Sequence, residues 1–185
     1  MFAAALCFIS AGAIRAAEEP PRKALACVPC HGIGGNSTDL ALPSLAGQPA
    51  QSVVTQLYMF REGMRKNPQM VPLVSNLSNA DLNELAAYFS RQSLTAPSHQ
   101  TSPANATAGR RLAEQHFCTQ CHGPALLGLQ HIPRLAGQQA TYLKQQLRGF
   151  KARTRGDFDG SMTSAAQALS DADIEILADY IAGIK

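Results

Sequence analysis

One pattern of residues occurs twice in this chain of 185 residues, with an offset of 90 to 92 positions. Five blocks return in the same order: CVPCHG at 27–32 and CTQCHG at 118–123, PSLAGQ at 43–48 and PRLAGQ at 133–138, Gln56 with Phe60 and Gln146 with Phe150, Arg65 and Arg155, and Met70 before LSNADL at 77–82 and Met162 before LSDADI at 169–174. Five blocks in one order do not arise by coincidence, so the halves are duplicates of one unit. The chain must therefore build two similar small domains.

The segment between the two copies has the composition of a linker. Residues 92–107, QSLTAPSHQTSPANAT, are rich in Ser, Thr and Pro and contain no aromatic residue. Such a composition is typical of an exposed connection between folded units. We predict a first domain over 18–93, a linker over 94–105 and a second domain over 106–185.

The N-terminus resembles an export signal. Residues 2–14 form a compact apolar run, FAAALCFISAGAI, and RAAEEPP follows at 15–21. This is the pattern of the apolar region and cleavage zone of a secretory signal, so residues 1–17 are predicted to be a signal peptide or an N-terminal anchor. A buried N-terminal helix is the alternative. Removal of the segment would leave four cysteines, which would work outside the cytoplasm.

The spacing of apolar residues predicts an all-α fold for each unit. The last helix of each half carries a helical apolar face, which consists of Leu82, Leu85, Ala86 and Phe89 in the first half and Ile174, Leu177, Ala178 and Ile181 in the second. Each opens with a serine three residues before an aspartate, a variant of the capping box: Ser78 with Asp81, and Ser170 with Asp173. We also predict middle helices near Ala50–Arg61 and Ala140–Lys151 and a first helix leading into each CxxCH, most clearly over Gly109–Cys121. No stretch alternates like a β-strand.

Charge and motif content exclude several classes of function. The 16 basic and 13 acidic residues give a net charge of +3, which is too small and too evenly spread to indicate nucleic-acid binding. The chain contains no phosphate-binding GxxxxGK[ST], no GxGxxG after a strand and no HExxH. Beyond the N-terminal run, no apolar stretch reaches the roughly 18 residues that a membrane span needs.

Four of the five cysteines lie in the two CxxCH motifs. Cysteines three residues apart lie on adjacent turns of one helix face, and the histidine that follows points at the same place. This spacing suits covalent attachment of a haem, in which Cys27 and Cys30 add to the two vinyl groups and His31 ligates the iron. The second copy repeats the arrangement with Cys118, Cys121 and His122.

Three other uses of paired cysteines compete with haem attachment. A redox-active dithiol usually lies in a βαβ unit, and none is visible here. Structural disulfides are expected outside the cytoplasm. A Cys₂His₂ zinc site would need partners at the spacing of a zinc finger. The duplication of CxxCH together with its downstream landmarks favours two covalently attached haem c groups over all three.

A methionine at equivalent positions of the two halves is the candidate for the sixth iron ligand. Met162 is the only methionine of the second half and matches Met70. A thioether is a soft ligand that suits low-spin haem iron. Met59 and Met64 compete in the first half, but neither has a methionine at the equivalent position. Of the other histidines, we interpret His116 and His131 as surface or supporting groups, and His99, in the linker, as solvated.

These residues resemble a known family, the dihaem class I cytochromes c, and specifically the cytochrome c4 group. The shared pattern is CxxCHG, then PxLAGQ, then a helix that ends in phenylalanine with an arginine shortly after, then methionine, LSxAD and a last helix like AAYF. It covers nearly the whole chain after residue 17. The resemblance implies two small all-α cytochrome c domains related by a pseudo-twofold axis, with the haems close to each other across the interface.

The resemblance also implies how each iron is held. The axial pairs would be His31 with Met70 and His122 with Met162. A proline carbonyl would accept the N–H of each ligand histidine, and the matching residues are Pro43 and Pro133. One departure is the loop Gly156–Ser161 before the second methionine, which is two residues longer than Lys66–Gln69. We therefore expect the two haems to differ in environment and in reduction potential.

With six ligands on each iron and no open position, the chain is expected to be an electron carrier and not an enzyme. The resemblance implies transfer in the periplasm or at the membrane surface, from a quinol-oxidising complex toward a terminal oxidase. One alternative is a dihaem cytochrome subunit of a periplasmic dehydrogenase that uses flavin or a quinone cofactor. Another is a haem enzyme, which would need an open site or a cysteine or histidine ligand.

A group of basic residues lies at the end of the second middle helix, formed by Arg148, Lys151, Arg153 and Arg155. Such a group is most often a solvated face. It could instead attract an acidic partner or neutralise the haem propionates, which add about four negative charges to the loaded protein when all are ionised.

Overall fold

The computed structural model of the protein describes residues 19–185, and the predicted signal peptide at 1–17 lies outside them. The helices of the described residues are α1 (Val28–His31), α2 (Ala50–Arg61), α3 (Met70–Val74), α4 (Asn79–Arg91), α5 (Pro103–Gln115), α6 (Cys118–His122), α7 (Ala140–Lys151), α8 (Ser161–Gln167) and α9 (Asp171–Ala182). Two 3₁₀ segments, Arg22–Cys27 and Ile33–Gly35, flank α1. Within residues 19–185 the only β-pairing is an isolated bridge between Leu129 and Ile132. The all-α prediction is therefore confirmed for the part of the chain that is described.

The middle and last helices begin and end where the sequence indicates. The middle helices α2 and α7 have the predicted bounds. Both last helices open with a complete capping box, in which the serine hydroxyl accepts the aspartate N–H and the carboxylate accepts the serine N–H. Ser78 and Asp81 cap α4, and Ser170 and Asp173 cap α9. The two repeats thus share their strongest local signal, which satisfies amide groups that the first helical turn leaves unpaired.

The first helix of the second domain differs from the prediction. The helix predicted over Gly109–Cys121 consists of two parts, since α5 begins earlier, at Pro103, and ends at Gln115. Phe117 then adopts a left-handed conformation with φ of +56° before α6 carries the CxxCH motif. In the first domain the corresponding segment is the short 3₁₀ turn Arg22–Cys27. The two helices remain in contact across this break.

The last helix of each domain is the centre of its packing. In the second domain α9 packs on α5 and α7, and in the first domain α4 packs on α2. The crossing of α5 and α9 is close because Gly109 has no side chain, and a Cβ there would lie 2.2 Å from the Cβ of Tyr180. The first-domain core around Ala24, Leu85 and Phe89 is smaller than the second-domain core.

The linker is attached to both domains by hydrogen bonds. Asn36 of the first domain bonds the backbone at Ser93 and Thr95. His99, which we expected to be solvated, is half-buried and lies 2.7 Å through Nε2 from a carboxylate oxygen of Asp179 on α9. That expectation was wrong, because the linker folds back over α9. No helix within residues 19–185 is both long and apolar enough to cross a membrane.

Candidate cofactor sites

The histidine of each CxxCH motif is buried and oriented by one backbone carbonyl. His31 ends α1 and His122 ends α6, with 5% and 4% of their surface exposed. Nδ1 of His31 lies 2.8 Å from the carbonyl oxygen of Pro43, and Nδ1 of His122 lies 2.8 Å from that of Pro133. A carbonyl can only accept, so Nδ1 carries the proton and Nε2 keeps its lone pair for a metal ion. The hydrogen bond implied by the resemblance is present in both domains.

The repeated PxLAGQ segment places this carbonyl. In the first domain, the N–H groups of Leu45 and Ala46 both donate to the carbonyl of Gly35, at 2.7 and 3.1 Å, and Gly47 donates to Phe89 at the end of α4. The second domain repeats all three bonds. There the donors are Leu135, Ala136 and Gly137 and the acceptors are Leu126 and Ile181. The motif therefore anchors the loop between the CxxCH segment and the last helix.

Burial keeps both imidazoles neutral. Desolvation lowers the pKa of His31 and of His122 below the usual histidine range, and the bond to the proline carbonyl opposes it in part. A neutral imidazole is the form that ligates a metal. At neutral pH both rings are therefore in the correct protonation state for an axial ligand.

None of the four cysteines of the motifs is in a disulfide. Cys30 and Cys121 are exposed, and Cys27 and Cys118 are half-buried. The pKa of Cys27 and of Cys118 is raised above the usual thiol range, and burial is the largest cause. Within residues 19–185, no three His, Cys, Asp or Glu side chains converge into a metal-ion cluster. Two cysteines that do not pair with each other, beside a histidine with an available Nε2, fit a covalently attached haem.

Both candidate methionines lie on the first turn of a short helix that packs against the middle helix of the same domain. The N–H of Met70 donates to Oδ1 of Asn67 at 2.8 Å. The N–H of Met162 donates to Oδ2 of Asp157 at 2.6 Å, and Thr163 donates to the other oxygen of the same carboxylate. In the longer second loop an aspartate thus accepts the methionine N–H, as an asparagine does in the first loop.

The two competing methionines have other surroundings. Met59 is 1% exposed on α2, and its sulfur lies 3.9 Å from Nε2 of Gln56. Met64 is 44% exposed. Of the remaining histidines, His131 is exposed and His116 is half-buried at the end of α5.

Two arginines and two glutamines from the repeated blocks meet between the domains. Arg65 donates to Gln56 in its own domain at 2.6 Å and to Gln146 across the boundary at 2.9 Å. Arg155 donates to Gln146 at 2.7 Å and to Gln56 across the boundary at 3.3 Å. We call these four residues and Tyr142 the arginine cluster. Among the described residues, neither guanidinium has a carboxylate within ion-pair distance.

The arginine cluster is electrostatically unusual. Each guanidinium lies over a phenylalanine of its own domain, Arg65 at 4.4 Å from the Phe60 ring centre and Arg155 at 4.2 Å from that of Phe150. Burial lowers the pKa of Arg155 to about 10, and its Nε is buried without a hydrogen-bond partner among the described residues. Among the described residues, the hydrogen-bond acceptors of both guanidiniums are neutral, and the charge of Asp157 reaches Arg155 only from beyond ion-pair distance. An anion beside the two guanidiniums would therefore stabilise the site.

Arg155 is close in the sequence to three other basic residues, but its surroundings in the structure differ from theirs. Arg148 is exposed and pairs with Glu175 at 2.6 Å. Lys151 donates to the carbonyl of Leu169, and Arg153 is exposed. The repetition of Gln56, Gln146 and both arginines was visible in the sequence. What the sequence did not show is that the four side chains meet.

Comparison with known proteins gives matches over both halves of the chain. The family described as cytochrome c matches residues 106–185. The family described as cytochrome c oxidase, cbb3-type, subunit III, matches residues 16–89.

Individual relatives and a solved structure also match this chain, each over most of its own length. Cytochrome c4 of Pseudomonas aeruginosa is 37% identical over 172 residues, which cover 88% of this chain and 85% of that protein. A thiosulfate dehydrogenase electron acceptor of Thiomonas intermedia is 35% identical over 173 residues, covering 88% and 80%. The crystal structure of reduced recombinant cytochrome c4 from Pseudomonas stutzeri matches with a TM-score of 0.81 at 34% identity, covering 88% of this chain and 95% of that one.

Proposed function

Since the chain belongs to the cytochrome c4 family of dihaem electron carriers, we propose that it carries electrons in the periplasm from a quinol-oxidising complex to a terminal oxidase. Its cofactors are covalently bound haem c groups, one for each cytochrome c domain. Each haem supplies one-electron chemistry, since its iron gains one electron from the donor and loses it to the acceptor.

Cys27 and Cys30 hold the first haem through thioether bonds, and Cys118 and Cys121 hold the second. The observation that carries this assignment is the pair of identical His–Pro hydrogen bonds at 2.8 Å, which leave Nε2 of both histidines free for iron. His31 with Met70, and His122 with Met162, would ligate the two haem irons. Such a filled ligand set would suit an electron carrier, because it would leave no position open to a substrate.

Arg65 and Arg155 neutralise the propionates that the haems bring into the protein. Support comes from the arginine cluster, where the guanidiniums of the half-buried Arg65 and of Arg155, whose Nε is buried, have amide, phenol and aromatic neighbours. Among the described residues no carboxylate lies within ion-pair distance of either group, and Asp157 acts on Arg155 only from farther away. An Arg155→Ala variant should change the potential of the second haem, whereas Arg153→Ala, an exposed neighbour, should not. An unchanged potential in Arg155→Ala would remove this role.

A second candidate is the electron outlet of a periplasmic dehydrogenase with a flavin or quinone cofactor. The relative from Thiomonas intermedia, a thiosulfate dehydrogenase electron acceptor, matches over 88% of this chain and favours a dehydrogenase as the partner, without indicating the cofactor of that partner. The same dihaem fold would then receive electrons from an enzyme partner and pass them on.

The deciding experiment is to extract the haem-staining species from its own cell envelope and to determine its native mass and composition. A single chain with two haems, reduced and then reoxidised by oxidase-containing membranes, is expected. Co-migration with a flavin- or quinone-cofactor subunit would overturn the first candidate in favour of the second. Retention in washed membranes would indicate that residues 1–17 anchor the chain, and release with the periplasm would indicate a cleaved signal.

A further inference from the structure

Tyr142 is the one member of the arginine cluster that the duplication does not repeat. It lies on the first turn of α7, and its equivalent in the first domain is Ser52 on α2. Ser52 is 2% exposed and too short to reach the domain boundary in the way a phenol does. The two halves of the interface therefore differ in one side chain at the place where both guanidiniums meet.

Tyr142 is bound to the first domain at both ends. Its backbone N–H donates to the carbonyl of Leu40 at 3.0 Å. Its hydroxyl oxygen accepts a hydrogen bond from Nη2 of Arg65 at 3.2 Å. A residue tied at its backbone and at its tip has little freedom, so the phenol oxygen is a fixed acceptor for Arg65.

Arg65 and Arg155 differ in their hydrogen-bond acceptors across the domain boundary. Arg65 has three acceptors, which are the amide oxygens of Gln56 and Gln146 and the phenol of Tyr142. Arg155 reaches the same two glutamines, but its bond across the boundary is longer, at 3.3 Å, and no hydrogen bond in residues 19–185 joins it to Ser52. The phenol is also a charge and hydrogen-bond partner of Arg155, which belongs to the same domain as Tyr142. Among the described residues, only Arg65 is held by this phenol across the boundary.

We propose that Tyr142 is a positioning residue that makes the two haem sites unequal, because it holds Arg65 across the domain boundary and, within residues 19–185, no hydrogen bond from the equivalent Ser52 holds Arg155 in the same way. This rests on the proposed role of the two arginines beside the haem propionates. A fixed positive charge near a haem favours the reduced iron, because reduction removes one positive charge from the centre. The position of Arg65 thus contributes to the separation between the two reduction potentials.

The test is a redox titration of the loaded protein, resolved haem by haem through the haem methyl signals in its NMR spectrum. In Tyr142→Phe, Arg65 loses its phenol acceptor, and we expect the potential of the first haem to fall relative to that of the second. The matched control is Tyr58→Phe, which removes the hydroxyl of a 38% exposed tyrosine that also lies beside an arginine, Arg61, at 5.4 Å. A changed separation in Tyr142→Phe but not in Tyr58→Phe supports the proposal.

A double-mutant cycle with Arg65→Gln shows whether Tyr142 acts through Arg65. The change in separation caused by Tyr142→Phe should disappear in the Arg65→Gln background. An unchanged separation in Tyr142→Phe, or an undiminished effect in the double variant, would overturn the proposal. In either case the proposed electron carrier would stand, provided that the variants keep two low-spin haems and still accept electrons.

Discussion

Gln48 and Gln138 are equivalent residues of the two repeats, and each exchanges two hydrogen bonds with the backbone of the other domain. The amide of Gln138 accepts from the N–H of Ser44 at 2.8 Å and donates to its carbonyl at 2.9 Å. The amide of Gln48 does the same with Arg134, at 3.0 and 2.9 Å. Ser44 and Arg134 are themselves equivalent, so the interface has approximate twofold symmetry. Each bonded residue directly follows the proline whose carbonyl orients the CxxCH histidine of that domain.

Truncation of Gln138 should loosen the domains and not only weaken one contact. Gln138 and Ser44 are both buried, so Gln138→Ala leaves a backbone N–H and a carbonyl without partners, at a cost of about 1–3 kcal/mol. The free energy of unfolding of the loaded protein in urea measures this loss. Gln145→Ala, an exposed glutamine on α7, is the matched control. Equal stability of the two variants would contradict the interface as described.

Most of the fold was predictable because it follows from local signals that occur twice. The bounds of α2 and α7, the capping boxes of α4 and α9 and the all-α character each depend on residues within one helix or its first turn. The family comparison confirms the expected architecture of two cytochrome c domains. The duplication made these predictions more reliable, because a pattern found in both repeats arises by coincidence less often than a pattern found once.

What the sequence could not predict depends on contacts between distant residues. The left-handed conformation of Phe117 breaks the predicted helix, and no glycine or proline marks it. His99 meets Asp179, 80 positions away. Tyr142 meets Arg65 from the other domain. The axial assignment of Met70 and Met162 stays a prediction, as do the domain bounds.

Replacement of one proposed axial methionine should change one haem only. In Met162→His an imidazole can take the place of the thioether, and a bis-histidine iron has a lower potential than a histidine–methionine iron. We expect the potential of the second haem to fall and its methionine-to-iron charge-transfer absorption to disappear, while the first haem is unchanged. Met64→Leu, at a 44% exposed methionine, should alter neither haem. Retention of both charge-transfer bands in Met162→His would exclude Met162 as a ligand.

Gly109 permits the close crossing of α5 and α9. In Gly109→Ala the new Cβ would lie 2.2 Å from the Cβ and 2.6 Å from the Cγ of Tyr180, so one of the helices must move. Forcing a methyl group into packed helices costs about 1–3 kcal/mol or more, although alanine favours helix. Thermal unfolding of the loaded protein should show a lower midpoint than that of Thr107→Ala, an exposed position on the same helix. If Gly109→Ala were as stable as this control, the crossing would be looser than described.

Acid should weaken the cap of α4 in a defined pH range. The pKa of Asp81 is lowered to about 2. The largest cause is the hydrogen bond from Lys23, and the capping bonds from Ser78 lower the pKa further. A folded-state pKa below the unfolded value of about 3.9 contributes stability that is fully present above that value and is lost as the pH falls toward 2. Asp81→Asn should therefore flatten the pH dependence of the free energy of unfolding between about pH 5 and 2. The control is Glu84→Gln, at an exposed residue of the same helix without a capping bond, and it should flatten the pH dependence of the free energy of unfolding less than Asp81→Asn does. Equal pH dependence in the two variants would refute the role of Asp81.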